Sequence, residues 1–183
     1  LGETRDQIGF EKAGIFRPGV MAICGDFQPP ESLVGYALSI GAPLQVIGRD
    51  FGFLKQDQQW QYWGPSGKRS SLAWPGLRGA NQLQNASVVL AALDGLRDRL
   101  PVAMQDIRRG LLEAELAGRF QVLPGRPTIV LDVAHNPQAA RVLAENLGGM
   151  AFHPETWAVF GMLNDKDVAA VIDAMRGRVT RWL

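Results

Sequence analysis

The chain has 183 residues, 46% of them hydrophobic, enough to bury the core of one domain or parts of two. Its 19 basic and 18 acidic residues leave a formal charge of +1, which gives no electrostatic footing to a nucleic-acid partner or a polybasic membrane contact. No apolar run approaches the roughly 20 residues of a membrane helix, the charged opening LGETRDQIGFEKAG lacks a signal-peptide pattern, and a single cysteine, Cys24, excludes an intrachain disulfide and fits a cytoplasmic protein.

Thr4-Arg5-Asp6-Gln7 has the form of a capping box and predicts a short helix ending near Gly14. VMAIC, between Gly19 and Gly25, predicts a buried strand. PPESLVGYALSIGA predicts a helix with Pro30 in its first turn and Gly41 at its end. From Pro43 to Trp74, short β-prone pieces separated by Gly, Pro and Ser predict a small antiparallel patch. Between Asn81 and Arg97, the residues Leu83, Ala86, Val89, Leu90, Leu93 and Leu96 share one helical face. Pro101 opens a further helix to about Glu115, and LPGRP at 123–127 is the candidate linker. Beyond it the pattern alternates: strand 128–133, helix 138–147, strand 156–160, helix 165–176 and a strand from Thr180. That alternation predicts an α/β protein with parallel βαβ units in a doubly wound domain. Leu1 is not a methionine and TRWL ends like a strand just beginning, so the chain is expected to be a segment of a longer one.

Five places could carry chemistry. In IVLDVAHNPQAA, Asp132 and His135-Asn136 fall where a strand gives way to a helix, the edge at which open parallel sheets bind ligands. Asn136 before Pro137 is equally an ordinary helix N-cap, a role that leaves Asp132 and His135 unexplained. Lys12 shares a helical face with Ile8 and Ile15. Such a lysine either snorkels to water or is held neutral by desolvation, open to covalent modification. Gln82 and Asn85 lie in the first turn of the strongest helix, where amides cap backbone donors or meet a base or phosphate. Arg119 follows a glycine just ahead of the linker, a position suited to clamping a phosphoryl group. In GMLNDKD, Asn164 and Asp167 form a cap with an acid in the first turn.

LGETRDQIGFEKAGIFRPG, NQLQNA, GRFQV, LDVAHNP and GMLNDKD, in that order, resemble the folylpolyglutamate synthase/dihydrofolate synthase family of the Mur ligase superfamily. The resemblance implies an ATP-dependent ligase that joins dihydropteroate or a folate to the amine of L-glutamate. The carboxylate attacks the γ-phosphate to give an acyl phosphate, the amine attacks the acyl carbon, and phosphate leaves. Carried over by position, Lys12 corresponds to a lysine whose carbamate holds a second Mg2+. Asn85, Arg119 and Asp132 correspond to ATP contacts in amide, phosphate-side and ribose-side roles, with His135 and Asn136 in the same motif. The implied architecture is the C-terminal part of a P-loop-type ATPase domain over residues 1–123, followed by the first part of a Rossmann-like domain from 124. No GxxxxGK[ST] loop occurs, and the resemblance places it, the pterin-binding loop and further Mg2+ ligands before Leu1. The isolated segment is therefore expected to be inactive, and the parent a monomer. The alternatives are a peptidoglycan-precursor Mur-type ligase, which shares the AHNP element, and a non-ligase nucleotide-binding Rossmann domain.

Overall fold

The structure is a computed structural model that describes residues 2–79 and 81–183. Leu1, which opens the first matching stretch, and Ala80, which precedes NQLQNA, lie outside the described residues. The chain divides into two compact units, residues 1–75 with 83–113 and residues 76–82 with 114–183. By compactness the main division thus falls between Glu113 and Ala114, ahead of the expected 123/124.

The first unit begins with α1 (Arg5–Ala13), and the capping box at its start is formed on both sides by Thr4 and Gln7. Its buried residues are Gly9 and Ala13. α2 (Glu31–Ser39) packs against it. Gly9 permits that approach, because a Cβ there would lie 2.8 Å from the Pro30 ring. Phe10 and Tyr36 meet edge to face at 5.5 Å, and Ser32 Oγ donates to the Asp6 carbonyl at 2.6 Å. β1 (Ala22–Cys24) pairs in parallel with β2 (Leu44–Val46). The stretch after Pro43 was expected in the antiparallel patch; it joins β1 instead, because α2 supplies the crossover that a parallel pair requires.

The antiparallel patch itself is β3 (Gly52–Lys55), β4 (Trp60–Gly64) and β5 (Gly67–Leu72). Alternation along β4 turns Trp60 and Tyr62 inward, and both are fully buried. They join Ile47, Phe51 and Leu72 in one core with Leu83, Ala86, Leu90 and Ala91 of α3 (Gln82–Gly95) and Ile107 of α4 (Met104–Glu113). The buried stripe of α3 is narrower than its sequence suggests, since Val89 is 50% and Leu96 38% exposed.

A polar cluster is set into this core. Tyr62 donates its hydroxyl to Asp94 at 2.9 Å, and Arg69 pairs with the other Asp94 oxygen while lying 5.3 Å over the Tyr62 ring. The Asp94 side chain is 5% exposed and that of Arg69 20%. Burial, reinforced by the hydrogen bond to Asp94 and its charge, holds the Tyr62 phenol well above the ordinary phenolic range.

The second unit holds β6 (Gln121–Leu123) and β7 (Ile129–Leu131), paired antiparallel. LPGRP is consequently the loop of a β-hairpin and not a linker between domains. α5 (Pro137–Gly148) and α6 (Val168–Met175) pack together through Ala140, Val171 and Met175. β8 (Trp157–Ala158) and β9 (Arg181–Trp182) pair in parallel across α6 and supply the expected βαβ unit. Among the described residues no helix is long and apolar enough to cross a membrane.

Replacing Asp94 by Ala leaves Arg69 and the Tyr62 hydroxyl without their acceptor. Urea denaturation should show a loss on the order of 3 kcal/mol, near the low end for a broken buried pair because part of Arg69 still meets water. An unchanged midpoint would mean that the cluster does not support the core. The raised Tyr62 pKa favours the protonated folded state. Its contribution is therefore complete below the ordinary phenol value of about 10 and is lost as pH rises through the higher folded value. Stability should decline above about pH 10, and less steeply in Tyr62→Phe.

Candidate functional site

The richest constellation lies in the second unit, where the turn before β6 meets the loop after β7. Gly118 and Phe120 flank Arg119 with φ of +69° and +46°, so the backbone reverses sharply on both sides of the arginine. Glycine takes that conformation without penalty, whereas Phe120 must be held in it. Phe120 is 5% exposed.

Asp132 supplies the restraint. Its Oδ2 accepts from the Phe120 N–H and its Oδ1 from the Ala134 N–H, each at 2.8 Å. Beside it the Val133 N–H donates to the Gly118 carbonyl at 2.9 Å, and the Gly118 N–H donates to Gln121 Oε1 at 3.2 Å. A Cβ on Gly118 would lie 2.9 Å from Val133 Cγ1, so the close approach also requires glycine. Arg119 itself is exposed, and its guanidinium makes no hydrogen bond or ion pair among the described residues.

The next two positions divide between anchoring and capping. His135 is exposed, and its Nδ1 lies 3.0 Å from the Val133 carbonyl. Because a carbonyl only accepts, Nδ1 is the donor here and Nε2 is left clear of this contact. Asn136 is the N-cap of α5: its Oδ1 accepts from the Ala139 N–H at 2.9 Å and Pro137 occupies the first turn. The capping role of Asn136 is therefore realised. Asp132 sits at the end of an antiparallel ribbon, not of a parallel strand as the alternation predicted. In GMLNDKD the cap is Asp167, which accepts from Ala170 N–H at 3.0 Å, and Asn164 is exposed.

The other two candidates belong to the first unit. Lys12 lies exposed in the last turn of α1. Ile8 and Ile15, which were to form its apolar stripe, are 37% and 77% exposed. Desolvation by this face is therefore not realised, and the ammonium complements the negative end of the helix dipole instead. Asn85 is exposed on the first turn of α3, beside Gln84, whose amide donates to the Gly25 carbonyl. Among the described residues no three His, Cys, Asp or Glu side chains cluster as a metal site.

The sequence offered Gly118 as a visible signal ahead of Arg119. It offered none for Phe120, whose left-handed backbone is imposed by Asp132 twelve positions on.

Within the second unit, residues 118–183 match the family described as Mur ligase, glutamate ligase domain. Over 182 residues the chain is 36% identical to the dihydrofolate synthase/folylpolyglutamate synthase of Escherichia coli K12, covering 100% of this chain and 42% of that protein. Escherichia coli FolC in complex with DHPP and ADP superposes with a TM-score of 0.90 at 36% identity, over 100% of this chain and 42% of that one. A bifunctional folylpolyglutamate synthase/dihydrofolate synthase with Mn, AMPPNP and L-glutamate bound superposes with a TM-score of 0.87 at 37% identity, over 100% and 43%. Along its whole length the chain is similar to dihydrofolate synthase/folylpolyglutamate synthases. It spans about two-fifths of the length of these relatives.

Replacing Asn136 by Ala removes the α5 cap and should lower stability of the second unit by about 1 kcal/mol. Thermal unfolding checks this, and an unchanged midpoint would return Asn136 to a purely ligand-facing role.

Proposed function

We propose that this chain is part of an ATP-dependent ligase that adds L-glutamate to dihydropteroate or to folates through an acyl phosphate. The observation that carries this is the 36% identity along its whole length to a dihydrofolate synthase/folylpolyglutamate synthase. The ligands in related structures, ADP with DHPP in one and AMPPNP, Mn and L-glutamate in another, support the same substrates here. The 36% identity over the whole of this chain is to a folate ligase, which favours this reading over a peptidoglycan-precursor ligase. A non-ligase nucleotide-binding domain is disfavoured by the match of residues 118–183 to a glutamate ligase domain.

In this proposal Arg119 faces the phosphates of ATP. Its exposed guanidinium, uncommitted to an acid among the described residues, suits the charge that builds as the γ-phosphoryl group moves to the substrate carboxylate. His135, with Nδ1 tied to the backbone, presents Nε2 to the nucleotide. Asn85, in the first turn of α3, keeps the amide role that the family resemblance implies. A divalent ion, Mg2+ in the cell, neutralises phosphate charge when bound. Among the described residues no acidic cluster is present to hold it, and the ligand this proposal assigns is the carbamate of Lys12. A carbamate is a hard oxygen donor and suits such an ion. Lys12 is exposed enough to react with carbon dioxide.

Phosphate release by the full-length protein, with ATP, Mg2+, L-glutamate and either dihydropteroate or tetrahydrofolate, tests the activity. Release that requires glutamate and one of the pterin acids is expected; release independent of both acids would end the proposal. Lys12→Ala should reduce turnover by at least a hundredfold, about 3 kcal/mol in the barrier, with partial recovery in millimolar formate or acetate. Wild-type turnover would remove the metal-bridging role.

A further inference from the structure

We infer that Asp132 acts on the reaction as a positioning residue, by holding Arg119 in the reversed turn that presents its guanidinium, and not chiefly as a ribose acceptor. This rests on the phosphate-side role proposed for Arg119.

The carboxylate is half-buried and both of its oxygens are engaged by main-chain donors from two different segments. One donor, the Phe120 N–H, belongs to the residue immediately after Arg119. The other, the Ala134 N–H, belongs to the residue immediately before His135. A single side chain therefore joins the arginine turn to the histidine loop at two 2.8 Å contacts, and ionised acceptors make the stronger class of such bonds. The turn needs that help. A non-glycine residue at φ +46° costs free energy, and strain of this kind persists only where neighbouring groups over-determine the backbone. The Val133 N–H to Gly118 carbonyl bond fixes the other side of Arg119, so the arginine is gripped at both flanking peptides while its guanidinium has no polar partner among the described residues. Carboxylate oxygens retain lone pairs beyond these bonds, but a ribose hydroxyl would be an additional partner, whereas the two amides are already in place.

The prediction is thermodynamic coupling. Asparagine is nearly isosteric with Asp132, yet one of its two terminal atoms becomes a donor and must oppose a backbone N–H. In the full-length enzyme Asp132→Asn should lower kcat by at least about tenfold with the KM for ATP changed by no more than about twofold. In an Arg119→Ala background the same substitution should cost less than about twofold, because its effect runs through the missing guanidinium. Asp132→Glu, which keeps a carboxylate for ribose but not the fit to both amides, should lose kcat in the same way. Hydrogen exchange at the Phe120 and Ala134 amides should accelerate in both Asp132 variants while other amides of the unit keep their protection. Equal losses from Asp132→Asn with and without Arg119, or an effect confined to the KM for ATP, would overturn the positioning role and leave the phosphate-side role of Arg119 standing. If Arg119→Ala alone retains wild-type kcat, the phosphate-side role fails and this inference with it.

Discussion

The corner of the second unit that carries Arg119 and His135 depends on one carboxylate accepting two main-chain hydrogen bonds. Through Asp132, the residue after Arg119 and the residue before His135 are tied to a common point. The geometry of both candidate side chains follows from where their peptides are held, and only then from their own rotamers. Short β6 and β7 strands could not set that corner alone, because three paired residues define a direction but not the turn that precedes it. The acid at the end of an apolar strand is therefore a structural requirement as well as a chemical opportunity.

Local rules accounted for much of the architecture. The Thr4–Gln7 capping box, the Asn136-Pro137 start of α5 and the helical stripe of α3 each follow from contacts within one or two turns, so a short stretch of sequence contains all the information needed. The misplacements involve partners distant along the chain. Nothing near Leu44–Val46 announces that it pairs in parallel with Ala22–Cys24, and the two prolines of LPGRP suit a hairpin loop as well as a linker. The Tyr62–Asp94–Arg69 cluster joins side chains separated by 25 and 32 positions, beyond any spacing rule.

For the candidate site the sequence offered residue identities but no geometry. Family wording singled out Lys12, Asn85, Arg119, Asp132, His135 and Asn136, and physical chemistry then distributes tasks among them differently. Asn136 spends its acceptor on a helix cap, His135 has one nitrogen anchored, and the Arg119 guanidinium has no polar partner among the described residues. Of the two readings of Lys12, the ammonium in water fits this chain and the desolvated amine does not, since Ile8 and Ile15 leave that face open. Helical periodicity identifies which residues share a side, not what covers it.

The place of Lys12 in the last turn of α1 has an energetic corollary. An ammonium there opposes the partial negative charge of the helix end, and Glu11 precedes it in the chain. Conversion to a carbamate would exchange a favourable cation for an anion at the same spot, so the modified helix would be disfavoured until a divalent cation offset the new charge. Carbon dioxide uptake and metal uptake would then be linked functions, each raising the apparent affinity for the other by the same factor.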